Sequence, residues 1–417
     1  MTAVQRDNIG LFGRMNAGKS TVMNLLTQQE TSIVDPTPGT TTDTRTTLME
    51  LHGLGPVKLY DTAGLDEGRA LGDKKRRKAV ADLKECDLVL LVIDPSAAEP
   101  DVEAGLIRLA REHDKQLLVV YNLFREEDRA RVPVLREALP ALKHCPDIAL
   151  NAADPASRPG LIGFILDRYE PRHRPVELFP FIRPDAFYVL NIPMDMETPP
   201  GRYLRPQAMC EEYITRHYAY PVAYRMDLAR GRRGDGEERR RFDAFLAAFG
   251  RRPHAVITDS QAMDLAHDWV PADILLTTFS IVMVHHQSGG GLAEFAAGVR
   301  VLDTLRPGDR ILITEACNHS RVGEDIGTVQ IPRSIAQRWP GVAVEHSFGR
   351  EFQANEHLGA YRLVVHCGGC MLSSQQMRAR VRDLRAAGVP FTNYGLFLAY
   401  LKGAAALRRV LAPWGLD

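Results

Sequence analysis

The chain has 417 residues, which is too long for one ordinary hydrophobic core and predicts two or three domains of roughly 100–200 residues each. Lysine plus arginine and aspartate plus glutamate number 52 each, so no bulk attraction to nucleic acid or an anionic membrane is expected. No apolar run approaches the roughly 20 residues of a membrane span, and the first residues lack the features of a secretion signal. Six cysteines suggest no disulfide framework. We therefore predict a cytoplasmic protein whose paired cysteines serve as metal or redox sites.

The N-terminal part of the sequence predicts a phosphate-binding loop. Residues 8–12 form a short apolar strand, residues 13–20 read Gly-Arg-Met-Asn-Ala-Gly-Lys-Ser, and a helix is predicted from Ser20 onward. This order of strand, loop and helix is what the motif requires. The glycines allow backbone N–H groups to point at phosphate oxygens near the N-terminus of the helix. The predicted nucleotide-binding residues are Gly13, Asn16, Ala17, Gly18, Lys19, Ser20, Thr21 and Asn122.

Two later segments supply the expected switch and metal-binding elements. Residues 38–43 read Pro-Gly-Thr-Thr-Thr-Asp, and a predicted strand over 58–64 ends in Asp-Thr-Ala-Gly. In such a domain, hydroxyl and carboxylate oxygens hold Mg²⁺ together with water. The predicted Mg²⁺ site is Ser20, Thr41 and Asp61, and the predicted catalytic residues are Lys19, Asn16, Asp61 and Gly64. Leu65 follows this element, so no catalytic glutamine is apparent in the sequence.

These motifs resemble those of the Era/MnmE type of translation-factor-related GTPases, in which Gly-Arg-x-Asn-x-Gly-Lys-Ser is followed by Pro-Gly-Thr-Thr-x-Asp. The resemblance implies GTP and Mg²⁺ as ligands, and slow intrinsic hydrolysis. It also implies that Asn16 helps to hold a K⁺ ion beside the phosphates. Such an ion neutralises the charge that develops in the transition state.

The base-reading segment departs from this pattern. GTPases of this type read guanine with Asn-Lys-x-Asp, whereas residues 122–125 here read Asn-Leu-Phe-Arg after a predicted strand over 116–122. The aspartate normally accepts two N–H groups of guanine, and a hydrogen bond to a charged group is worth about 1.5–3 kcal/mol. The preferred base stays open at this point, because Glu126, Glu127 or Asp128 could take the place of the aspartate.

The remaining sequence alternates between strands and helices, which is typical of parallel sheets. Predicted strands cover 186–193, 222–225, 254–259, 310–316, 342–346, 361–365 and 389–392, and predicted helices cover 206–217, 237–249, 292–304 and 377–387. The predicted fold class is therefore α/β, with an N-terminal P-loop GTPase domain followed by two smaller parallel-sheet α/β domains. The predicted domains are 1–172, 180–268 and 271–417.

Cysteines and histidines gather at the ends of two predicted strands in the C-terminal part. Cys317-x-His319 follows one strand, and His366-Cys367-x-x-Cys370 follows another. Because ligands bind at the carboxyl ends of parallel strands, both half-motifs are expected at one edge of a sheet. Three thiolates, Cys317, Cys367 and Cys370, predict a 4Fe-4S cluster, with His319 or His366 as the candidate fourth ligand. A structural zinc site with three cysteines and one histidine, and a redox pair of cysteines, are the alternatives.

The phosphate loop followed by these half-motifs, which residues 320–365 separate, resembles the HydF family, the maturation GTPases of di-iron hydrogenases. The resemblance spans nearly the whole chain. It implies a scaffold or carrier that assembles the di-iron subcluster or delivers it to apo FeFe-hydrogenase, with two radical-SAM maturases as further partners. It also implies that GTP hydrolysis gates partner association and that residues 180–265 form a homodimer. No membrane or nucleic-acid partner is expected.

Two other functions are compatible with the same motifs. An Era/MnmE-like GTPase that acts on RNA would use the cysteines for a structural zinc site. A redox sensor would couple the oxidation state of a cluster to the nucleotide state. RNA binding favours basic surfaces interleaved with stacking aromatic residues, and the sequence of the C-terminal half shows no such interleaving.

Overall fold

The chain forms two compact units in the computed structural model, Val4–Arg174 and Pro175–Asp417. The structure describes residues 6–28, 45–62, 72–171, 176–193, 203–234, 236–316, 325–349, 358–369 and 372–416, with only the backbone for 72–77. Within this described part, no helix is long and apolar enough to cross a bilayer.

The first unit is a six-stranded sheet with helices on both faces. Its elements are β1 Asp7–Phe12, α1 Lys19–Thr27, β2 Arg45–Leu51, β3 Gly55–Asp61, α2 Gly72–Glu85, β4 Leu88–Ile93, α3 Pro100–Glu112, β5 Gln116–Asn122, α4 Arg131–Ala138, β6 Asp147–Leu150 and α5 Arg158–Arg168. The strand order is β2-β3-β1-β4-β5-β6, and all pairs are parallel except β2 with β3. Strand β4 is buried along its whole length, because helices cover both faces of a parallel sheet. Two hydrophobic cores, one containing Ile9 and the other Phe12, accordingly use alternate residues of β1.

The second unit contains two four-stranded parallel sheets. Its elements are β7 Phe187–Asn191, α6 Arg205–Arg216, β8 Tyr220–Tyr224, α7 Leu228–Arg233, α8 Glu237–Ala247, β9 Ala255–Thr258, α9 Met263–Trp269, β10 Leu275–Thr278, α10 Phe279–Gln287, α11 Leu292–Val299, β11 Arg310–Glu315, α12 Ile331–Arg338, β12 Ala343–Phe348, β13 Leu363–His366, α13 Ser374–Ala386, β14 Phe391–Asn393, α14 Tyr394–Lys402 and α15 Ala404–Leu411. The strand orders are β10-β9-β7-β8 and β12-β11-β13-β14.

Helix α10 joins the cores of these two sheets. It is apolar on nearly every side, which is typical of a helix that is buried all round. Phe279 and Val282 belong to the core beneath β7, whereas Ile281 and Val284 belong to the larger core that also contains β11 and β13. The second unit is therefore held together through α10, which positions the loop that follows β13.

The predicted α/β fold class is confirmed: a six-stranded N-terminal sheet is followed by two smaller parallel sheets. The predicted boundaries at 172, 268 and 271 stay predictions. Strand β10 begins beyond the last of them and pairs with β9 in parallel. Strand β14 lies at a sheet edge, as expected for a segment that contains Pro390.

Candidate functional sites

The phosphate loop has a backbone that only glycine can adopt at two positions. Gly13 has a φ of +153°, and a Cβ atom there would lie 2.3 Å from the carbonyl oxygen of Val92. Gly18 has a φ of +93° at the N-terminus of α1, and a Cβ atom there would lie 2.1 Å from Asn122 Nδ2. Both contacts are too close for any side chain. The loop therefore packs tightly against β4 and β5, and it leaves the N-terminus of α1 available for an anion.

Three predicted phosphate and metal residues lie together at the end of this loop. Lys19 is buried, and its Nζ donates to the carbonyl oxygens of Gly13, at 3.2 Å, and Arg14, at 2.7 Å. Ser20 Oγ donates to Asp61 Oδ2 at 2.5 Å. A hydroxyl and a carboxylate in contact are the oxygen ligands that Mg²⁺ prefers. The arrangement suits a bound Mg²⁺–nucleotide complex.

Three other predicted residues of the nucleotide site, Asn16, Ala17 and Thr21, lie in the phosphate loop and at the start of α1. Asn16 is exposed and has a left-handed backbone with a φ of 63°, and Thr21 is half-buried in α1. Thr41 and Gly64 lie outside the described residues. Ala17 is buried and contributes to the core beside α1.

Asn122 is a buried link between three segments of the nucleotide site. Its Nδ2 donates to the carbonyl oxygen of Ala17 at 3.1 Å, and its Oδ1 accepts the N–H of Ala152 at 3.1 Å. The side chain thus ties the phosphate loop to the loops that follow β5 and β6. Its role in this structure is to position the nucleotide site.

The second half of the predicted cluster motif lies at the carboxyl end of β13. His366 and Cys367 are described and buried, whereas Cys317, His319 and Cys370 lie outside the described residues. Strands β11 and β13 are adjacent, and the N–H of Ala316 donates to Cys367 Sγ at 3.4 Å. The residue directly before Cys317 therefore contacts the sulfur of Cys367. A backbone N–H directed at a cysteine sulfur is also typical of iron–sulfur sites.

The loop after Cys367 requires glycine and is held by side chains from distant helices. Gly369 has a φ of +66°, and a Cβ atom there would lie 2.6 Å from Met377 Cε and 2.8 Å from Gln287 Oε1. Gln287 Nε2 donates to the carbonyl oxygens of Gly369, at 2.9 Å, and Leu372, at 3.0 Å. Arg205 Nη1 also donates to Leu372 O at 2.8 Å. A side chain at Gly369 would therefore be strained by the left-handed backbone and would displace Met377 and Gln287, and the carbonyl groups of Gly369 and Leu372 are held from α6 and α10.

Both ring nitrogens of His366 have hydrogen-bond partners. Arg380 Nη1 lies 3.0 Å from Nε2, and the carbonyl oxygen of Cys367 lies 2.7 Å from Nδ1. Because arginine can only donate, Nε2 must accept, and Nδ1 must carry the proton that is donated to Cys367 O. Arg380 also donates to Gly349 O at 2.8 Å, so it joins the ends of β12 and β13.

The surroundings of the other described cysteines do not favour metal binding. Burial raises the pKa of the Cys86 and Cys210 thiols, so both stay protonated at neutral pH. Burial also raises the pKa of Cys145. Among the described residues there is no group of three side chains that could hold a metal ion. Cys367, with its N–H donor and its glycine-bearing loop, is the described cysteine that fits the predicted cluster.

Sequence reasoning did not find Gln287, Arg205 or Arg380. Gln287 and Arg205 act on a loop that is distant in the sequence, with separations of 82 and 167 residues, and Arg380 reaches Gly349 over 31 residues. The available indication was Gln287 at the end of segment 279–287, in which residues 281–284 are all apolar. A buried amide in such a helix needs a polar partner in the core.

Three protein-family models match separate parts of the chain. The hydrogen maturase F tetramerization domain matches residues 293–413, the hydrogen maturase F dimerization domain matches 237–288, and the 50S ribosome-binding GTPase model matches 8–123. The chain belongs to the hydrogen maturase F family, HydF. It carries the two HydF oligomerisation domains and a P-loop GTPase domain. Gln287 lies in the segment that matches the HydF dimerisation domain, and it donates to Gly369 O in the segment that matches the tetramerisation domain.

Curated relatives match shorter parts of this HydF chain. The tRNA modification GTPase MnmE of Lactobacillus johnsonii is 37% identical over 116 residues, which are 27% of this chain and 24% of that protein. The mitochondrial 5-taurinomethyluridine-[tRNA] synthase subunit GTPB3 of Rattus norvegicus is 36% identical over 142 residues, 32% of this chain and 29% of that protein. The chain thus spans less than a third of the length of these relatives.

A solved structure of Era in complex with MgGDPNP and nucleotides 1506–1542 of 16S ribosomal RNA is also similar. It is 24% identical, covers 42% of this chain and 60% of that chain, and has a TM-score of 0.34. The GTPase fold is established by the strand order and by the family model.

Proposed function

We propose that this HydF protein is a GTP-binding iron–sulfur scaffold that assembles the di-iron subcluster or delivers it to apo FeFe-hydrogenase. The observation that carries the proposal is the contact between the Ala316 N–H and Cys367 Sγ, because it joins the ends of the two strands that lead into the cysteine motifs. A complete phosphate loop in the same chain supports a function under nucleotide control.

The cluster would be held by Cys317, Cys367 and Cys370. A 4Fe-4S cluster with three thiolate ligands supplies one iron that can exchange its fourth ligand for a bridging group of a precursor. His319 and His366 are the candidates for the fourth ligand. The two hydrogen bonds of the His366 ring favour His319, because His366 would have to give up its bond to Arg380 before Nε2 could bind iron.

The GTPase domain would control when partners associate. Lys19 would contact the β- and γ-phosphates, and Ser20 and Asp61 would hold Mg²⁺ together with Thr41. Asn16 would help to hold K⁺, whose charge compensates for the absence of a catalytic glutamine, and Gly64 would sense the γ-phosphate. Hydrolysis then changes the switch segments and gates partner binding.

The proposed partners follow from this role. Two radical-SAM maturases would supply the precursor of the di-iron subcluster, and apo FeFe-hydrogenase would accept the finished unit. The HydF dimerisation domain supports a homodimer as the working form. We propose the cytoplasm as the location, and neither a membrane nor a nucleic acid as a partner.

Metal analysis and EPR spectroscopy of anaerobically purified protein test the proposal. After reconstitution with iron and sulfide, the protein should be brown and should give a 4Fe-4S signal on reduction. Cys370→Ser should lose this signal, whereas Cys145→Ser should keep it, because Cys145 lies in the first unit and has no assigned metal role.

The same metal analysis, together with an assay of GTP hydrolysis, separates the alternative functions. A colourless protein that carries zinc would contradict the scaffold and would favour an RNA-directed GTPase with a structural metal. A hydrolysis rate that changes with the oxidation state of the cluster would favour a redox sensor instead.

A further inference from the structure

We propose that the GTPase domain holds the purine base by stacking on Phe124 and does not read the 2-amino group of guanine, so that GTP and ITP bind equally well. The inference rests on nucleotide binding at the phosphate loop and is independent of the cluster. It concerns the loop directly after Asn122, where GTPases of this type usually place lysine and aspartate.

Phe124 lies beside the phosphate loop at the carboxyl end of β5. Its Cζ atom is 3.6 Å from the point that a Cβ atom on Gly18 would occupy, and its side chain is 52% exposed. Asn122, two residues earlier, is fixed between Ala17 and Ala152. Ligands of parallel α/β sheets bind at this edge, so the phenyl ring faces the region that receives the base.

The neighbouring Leu123 does not take part in base binding. It is buried in the core that also contains Phe12 and Val119, on the other side of the sheet from α1. The position that normally holds a lysine is therefore used for packing. Stacking on Phe124 remains as the base contact, and stacking on an aromatic ring tolerates different bases because every base has a π-face.

No carboxylate replaces the usual aspartate in this segment. Arg125 occupies its position, and the exposed guanidinium forms an ion pair with Glu127 at 3.5 Å. A guanidinium has only donors and cannot accept the N1–H or the 2-amino group of guanine. The positive charge therefore excludes the contact by which guanine is normally distinguished.

The two other acidic residues nearby are engaged elsewhere. Asp128 is buried, and its carboxylate accepts the N–H of Arg125 at 3.2 Å and lies 3.6 Å from Arg131 Nε. Glu126 forms an ion pair with Arg129. The three acidic residues that the sequence offered as replacements thus serve as local partners of arginines and of the backbone.

Competition between GTP and ITP on the full-length, iron-free protein tests the proposal. ITP differs from GTP only by the missing 2-amino group. A site with a carboxylate favours GTP on the order of 10- to 100-fold, because one hydrogen bond to a charged group is lost with ITP. We expect the two dissociation constants to agree within about threefold in the native protein. A preference for GTP of about tenfold or more would overturn the proposal.

Arg125→Asp supplies the missing carboxylate and should create a preference for GTP over ITP on the order of tenfold. An unchanged ratio in this variant would place the base away from Arg125 and would overturn the assignment. Because neither measurement involves iron, both outcomes leave the proposed scaffold function untouched.

Substitution of Phe124 tests the stacking contact separately. Phe124→Ala should weaken the binding of GTP and of ITP by the same factor, roughly 5- to 100-fold. Phe124→Tyr keeps an aromatic ring and should bind both nucleotides with the native affinity. Val134→Ala is the matched control, because Val134 is an exposed apolar side chain of α4 with 66% exposure. An unchanged affinity of Phe124→Ala for both nucleotides would overturn the stacking role.

Discussion

Gln287→Met should destabilise the second unit by removing the amide that holds the loop after Cys367. Gln287 is completely buried, and methionine keeps its volume and unbranched shape while removing the two donated hydrogen bonds. Leu372 O retains Arg205 as a donor, so the loss there is about 1 kcal/mol. Gly369 O loses its bond to Gln287 in a buried environment, which costs about 1–3 kcal/mol. The expected decrease in the free energy of unfolding is therefore about 2–4 kcal/mol.

Urea unfolding followed by tryptophan fluorescence measures this decrease selectively. All three tryptophans, Trp269, Trp339 and Trp414, lie in the second unit, so the GTPase domain does not contribute to the emission. The free energy of unfolding of a unit of this size falls by about 3 kcal/mol per M urea. The urea midpoint of metal-free Gln287→Met should therefore be roughly 1 M lower than that of the native protein. Met283→Leu, a volume-conserving change in the same buried helix, should shift it by less than about 0.5 M. Equal midpoints for Gln287→Met and native protein would refute the claim that the Gln287 amide stabilises the loop after Cys367.

Three further predictions concern the phosphate loop and the histidines of α10. Lys19→Ala should abolish GTP hydrolysis and leave the iron content unchanged; loss of iron would contradict the independence of the two sites. Replacing Na⁺ by K⁺ should accelerate hydrolysis, and equal rates would count against a cation role of Asn16. Burial lowers the pKa of His285 to about 4, so below pH 6.5 the unfolded chain binds a proton that the folded chain does not. The urea midpoint should therefore fall as the pH decreases from about 6.5 to about 4, and His285→Phe should lessen that fall.

Much of the fold could be predicted because its parallel strands are continuous apolar runs. Strands β4, β11 and β13 are buried on both faces, and such runs are visible without knowledge of their neighbours. The phosphate loop was visible for a different reason, since glycine is required at positions where the backbone turns sharply or packs closely.

The contacts that complete the sites could not be predicted in the same way. β10 has four residues and runs directly into α10, so no loop residue separates the two elements in the sequence. The partners of Gln287 and Arg380 depend on how α10 and α13 pack against β13, which no local pattern encodes. Phe124 illustrates the same limit, because its position beside Gly18 depends on the pairing of β5 within the sheet.

Activation of apo FeFe-hydrogenase tests the central claim most directly. The protein would be produced together with its two radical-SAM partners, purified without oxygen and mixed with apo-hydrogenase, and hydrogen evolution would be measured. We predict that the native protein activates the enzyme, and that Cys370→Ser does not although it hydrolyses GTP at the native rate. Equal activation by the two proteins, or no activation by the native one, would contradict a scaffold that depends on the cysteine-bound cluster.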